Sequence, residues 1–61
     1  MIDYQQAIAM IDENGYVQNI GQMNDQTKRA LDRDVKNGLL IKSREPWAMM
    51  VAVYKTTWRR A

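Results

Sequence analysis

Gly38 divides this chain into two textures that cannot belong to the same kind of secondary structure. Before it, apolar residues recur at helical spacing. After it, Leu39-Leu40-Ile41-Lys42-Ser43-Arg44 and Met49-Met50-Val51-Ala52-Val53-Tyr54-Lys55-Thr56 are rich in strand formers and flank the breaker Glu45-Pro46-Trp47-Ala48. The second part reads as an antiparallel hairpin over about 39–56 with a short, Pro-containing tip. Helices must therefore come first and a hairpin last, which makes the chain α+β.

Within the helical part, Asp3 and Gln6 have capping-box spacing, and Tyr4, Ala7, Ile8 and Ile11 lie at i, i+3, i+4 and i+7. This predicts a helix over about 3–14, stopped by Gly15. Val17, Ile20 and Met23 predict a short extended stretch and then a second helix over about 18–23. Gly21 inside that helix would cost about 1 kcal/mol against Ala, so it is expected where another helix approaches closely. Asn24 and Asp25 are good N-caps for a third helix over about 25–37, with Thr27, Leu31 and Val35 on one face and Gly38 as its stop. The other side of that helix carries Gln26, Arg29, Arg33 and Lys36, with Lys28 beside them.

A chain of 61 residues, 46% apolar, supports one core and one domain, 1–61. It contains no Cys and no His. Disulfides, thiolate or imidazole metal sites, and thiol or imidazole catalysis are excluded by inventory, and no cofactor is implied. The acids are scattered, with no nucleophile and base together, so the chain is not expected to be an enzyme or to take a small-molecule substrate. No run approaches the roughly 18 apolar residues of a membrane span, and Met1-Ile2-Asp3-Tyr4 has no signal-peptide character. A cytoplasmic protein with no membrane partner is expected.

Charge is polarised along the chain. Residues 1–25 hold four acids and no base, whereas residues 26–61 hold nine bases and three acids, a net +6. A polyanion would dock on the second part. The plain alternative is a set of solvated side chains, the commoner fate of a pair such as Arg29 and Arg33.

The segment Asn24-Asp25-Gln26-Thr27-Lys28-Arg29-Ala30-Leu31-Asp32-Arg33-Asp34-Val35-Lys36-Asn37-Gly38-Leu39-Leu40 resembles the third helix of the winged helix-turn-helix family of bacterial and phage regulators. The resemblance spans most of the chain and implies three helices followed by a β-hairpin wing. It implies double-stranded DNA as partner and a role in transcription regulation, with helix 25–37 in the major groove and the 44–48 wing on the backbone. Gln26, Lys28, Arg29, Arg33, Lys36, Lys42 and Arg44 would then face bases or phosphates. One departure concerns Asp34, which stands where the family often has an apolar residue. Its helix neighbours Ala30, Leu31, Asn37 and Gly38 include no base, so its partner must come from elsewhere in the fold.

Two aromatic positions stay open. Trp47 either packs on the sheet or touches a partner, and Trp58 with Arg59 and Arg60 either closes over the first helix or frays. Met49 and Met50, adjacent in a strand, point to opposite faces, so one is a candidate dimer surface. The alternative function is a protein-interaction module without DNA contact, as homodimer or with another protein, working through the acidic first helix or the Trp47 and Met50 region.

Overall fold

Two side-chain caps start the two helices of this protein. A computed structural model describes residues 1–19, 21, 23–47 and 50–61, with backbone alone at Met50 and Val51. Asp3 accepts from the Gln6 amide while the Gln6 side chain accepts from the Asp3 amide, a complete capping box that opens α1 (Tyr4–Asn14). Gly15 ends it in the left-handed conformation, φ 87°. Asn24 accepts from the Thr27 amide and opens α2 (Asp25–Lys36). Between the helices lies β1 (Tyr16–Gln18), and after α2 come β2 (Leu40–Trp47) and β3 (Met50–Arg60). The strands form one antiparallel sheet in the order β1-β3-β2.

Among the described residues the architecture is thus two helices on a three-stranded sheet, and the expected three helices with a hairpin wing are not what forms. The segment 18–23 is not helical where it is described. Gln18 is in β1 opposite Thr57, Gly21 has φ 93°, and Met23 makes a parallel bridge with Ile2. Ile20 and Gln22 lie outside the described residues. Gly21 is also needed for a different reason than expected. A Cβ there would meet nothing within 4 Å, so its backbone angle, and not a neighbouring helix, calls for glycine.

The hairpin differs at both ends. Its second strand runs to Arg60 and pairs with β1 through Tyr16↔Arg59, Val17↔Trp58 and Gln18↔Thr57. At the other end β2 continues through Glu45, Pro46 and Trp47, which were expected in the tip, and the register shifts between Pro46 and Trp47 so that Trp47 faces Met50. Proline is tolerated because β2 is an edge strand, where a missing N–H need not break a ladder. Ala48, Met49 and the Met50 side chain lie outside what is described, and with them the candidate dimer surface.

The core lies between the helices and the sheet: Ala7 and Ile11 of α1, Leu31 of α2, Val17, Leu40 and Trp58 of the strands, and Met23. Trp58 is buried to 1% exposure in one cluster with Ala7 and Ile11 of α1, and Arg60 pairs with Asp12 of that helix, so this end of the chain closes over the first helix and does not fray. Its Nε1–H donates to Asp32 Oδ1 at 3.2 Å. Asp34 finds the outside partner that its helix neighbours could not supply, because the Tyr4 hydroxyl of α1 donates to its Oδ2. Asp32 and Asp34 point about 200° apart around a helix. One therefore fastens α2 to the sheet and the other fastens it to α1, with Leu31 in the core between them.

On strands whose side chains alternate, the sheet face away from Trp58 carries Tyr16, Ile41, Ser43, Glu45, Thr57 and Arg59. Glu45 accepts from Arg59 Nε at 2.9 Å and from Ser43 Oγ at 2.7 Å, and the Arg59 guanidinium lies 5.2 Å from the Tyr16 ring centroid. Among the described residues no helix is long and apolar enough to cross a membrane.

Leu31→Ala and Ile11→Ala should each cost about 2–5 kcal/mol, read as urea midpoints, because both leave a cavity at the centre of a small core. The Glu45 carboxyl is held down to about 2 by its hydrogen bonds from Arg59 and then Ser43. A depressed acid stabilises the fold above its unfolded-state value and loses that contribution as pH falls through the folded one. Glu45→Gln should therefore show a shallower loss of stability than the natural chain between pH 4.5 and about 2 in acid titrations of the unfolding midpoint.

Candidate nucleic-acid interface

Because Asp32 and Asp34 fix the rotation of α2, its remaining side is turned outward. Gln26, Arg29 and Arg33 are exposed there, together with Lys36 one turn further on. With Asn24, Thr27 and Ala30, the first three line one wall and the floor of a surface groove of about 630 Å³. The other wall is the start of α1, namely Asp3, Tyr4 and Gln5. The groove is held open by fixed contacts. The Tyr4 hydroxyl is tied to Asp34, and Thr27 Oγ1 donates to the Ile2 carbonyl at 3.2 Å. The Ile2–Met23 bridge draws the first residues against the chain that leads into α2.

The expected DNA-binding residues divide according to their charge partners. Lys28 Nζ is 3.2 Å from Asp25, a pair one turn apart on the same helix. Lys42 Nζ is 3.0 Å from Asp32 Oδ1 and 5.8 Å from the Trp58 ring centroid, a half-exposed pair that links α2 to the sheet. Arg59 and Arg60 are likewise paired, with Glu45 and Asp12. Among the described residues Arg29, Arg33, Lys36, Arg44 and Lys55 make no ion pair. The Arg44 guanidinium donates only to the Tyr54 carbonyl, at 3.4 Å.

The structure thus brings Gln26, Arg29 and Arg33 into one groove and leaves Lys28, Lys36, Lys42, Arg44 and Trp47 outside it. Trp47 is half-buried in β2, with the Lys55 ammonium 5.8 Å from its ring centroid. Sequence reasoning missed the α1 wall. Tyr4 was read as part of an apolar face, and Gln5 carried no signal in the sequence. The unpartnered acid at Asp34 was the one pointer to Tyr4, because a buried carboxylate beside no base calls for a donor from a neighbouring element.

The hydrogen bond to Asp34, and then the hydroxyl's own desolvation, raise the Tyr4 hydroxyl above its ordinary value near 10, so the phenol stays protonated and donating at neutral pH. Tyr4→Phe should leave Asp34, 8% exposed, without its donor and destabilise the fold by about 1–3 kcal/mol. A chemical-denaturation midpoint equal to that of the natural chain would show that this tie is dispensable.

Searches of protein-family models, curated proteins and solved structures find no match for this chain, so the function of the groove must be argued from its own geometry.

Proposed function

We propose that this protein is a small binding module for double-stranded DNA, and that the outward face of α2 is its contact surface. The observation that carries this reading is the selective pairing of charge. Among the described residues four of the nine bases pair with carboxylates within the fold, whereas Arg29 and Arg33 stand exposed without an ion pair on the same face as Gln26. Uncompensated guanidinium groups on one rigid helix face suit a polyanion, because each phosphate neutralised releases condensed counterions. Arg and Gln can also make paired hydrogen bonds to guanine and adenine edges. Lys36 extends the same helix surface, and Arg44 is a free cation on the hairpin. Lys42, half-exposed and already paired with Asp32, is assigned no phosphate contact in this reading.

The rival reading, a protein-interaction module, draws on the exposed apolar side chains Leu39 (54%) and Ile41 (53%) at the start of β2. Salt dependence separates the two. Binding to random-sequence duplex, followed by fluorescence anisotropy over a salt series, should weaken steeply with salt. Arg29→Ala and Arg33→Ala should each weaken it, by about 1–3 kcal/mol where the residue reads a base edge, or with a salt slope lower by about one where it neutralises a phosphate. Lys42→Ala should leave the slope unchanged. A flat salt response in the natural chain would put the protein-interaction reading first.

A further inference from the structure

The groove has two walls, and only one of them belongs to the helix face assigned above. We infer that the groove seats a single sugar-phosphate strand of the duplex, gripped from α2 by Arg29 and Arg33 and from α1 by Gln5. This rests on the reading that α2 meets DNA and adds a contact that the helix alone would not supply.

The chemistry of the lining favours an anionic ridge. Arg29 and Arg33 present guanidinium donors. Gln5 and Gln26 present exposed side-chain amides, and the Asn24 amide nitrogen is free because its oxygen is occupied by the Thr27 amide. The Tyr4 hydroxyl is committed to Asp34 and offers no proton. Asp3, the single carboxylate among the described lining residues, already accepts from the Gln6 amide as the helix cap. Two unpaired cations against one acid leave the groove net positive. Its volume of about 630 Å³ is in the range of sites for whole organic ligands and far beyond what one small anion fills. Phosphate contacts of this kind fix the register of a protein on DNA without reading sequence.

The test uses the full chain, random-sequence duplex and a salt series, with circular dichroism and urea midpoints confirming that each variant folds. Gln5→Lys should tighten binding and steepen the salt slope by about one unit. Asn14→Lys places the same charge at the far end of α1, about 14 Å away along the helix and beyond the screening length at physiological salt, and should do neither. Asp3→Asn keeps a competent N-cap and removes the one acid of the groove, so it should also tighten binding. If Gln5→Lys and Asp3→Asn bind like the natural chain while Arg29→Ala still weakens, the strand does not run through the groove although α2 still meets DNA. An equal gain from Asn14→Lys would overturn the groove in the same way. If the arginine variants are also without effect, the DNA reading itself falls.

Discussion

The burial of Trp58 is the constraint on which the rest of this structure depends. It is the largest fully buried side chain, and its indole N–H needs an acceptor wherever it goes. Asp32 supplies that acceptor from α2, and Lys42 from the neighbouring strand compensates the carboxylate. A tryptophan in β3 thereby sets which side of α2 meets the sheet. Once Asp32 is turned to the indole and Leu31 to the core, Asp34 faces Tyr4, and Arg29 and Arg33 are left exposed along the groove beside the start of α1. The outward basic surface is a consequence of how the interior is satisfied.

The same arrangement explains why the charge polarity of the sequence does not become a two-sided molecule. Asp12 from the acidic first part meets Arg60 from the basic end, and Glu45 and Asp32 take up Arg59 and Lys42. Exposed pairs such as these contribute little stability individually. Their larger effect is to decide which cations remain available. The six bases expected at a DNA surface look equivalent along the chain, and the fold distinguishes Arg29 and Arg33 from Lys28 and Lys42 by giving the latter two partners.

Much of the local structure was legible because it depends on local chemistry. Asp3 with Gln6, Gly15, and Asn24 each act within one turn of the chain, and the bounds of both helices follow from them. What was not legible depends on neighbours distant in sequence. The 18–23 segment has apolar residues at helical intervals, yet Gln18 is recruited to β1 by Thr57, and Met23 is held by Ile2. The expected hairpin stops at about residue 56 because Arg59 and Arg60 dominate the end of the chain, while Thr57 and Trp58 beside them are strand formers that complete the sheet. The groove was the least legible feature, since Gln5 and Arg29 meet only when α1 and α2 are docked.

Sheet order also gives β2 an edge that no other strand covers among the described residues, and an uncovered ladder of this length is a template for pairing between molecules. The residues along it act against that. Pro46 brings no N–H, and a second β2 aligned antiparallel about Ser43 would set Lys42 opposite Arg44, like charges across a strand pair. The opposite edge, β1, is three residues long and too short to nucleate much. Residues that at first look like anion contacts on the hairpin can thus serve as guards against self-assembly, keeping the sheet from growing into fibres when the protein is abundant.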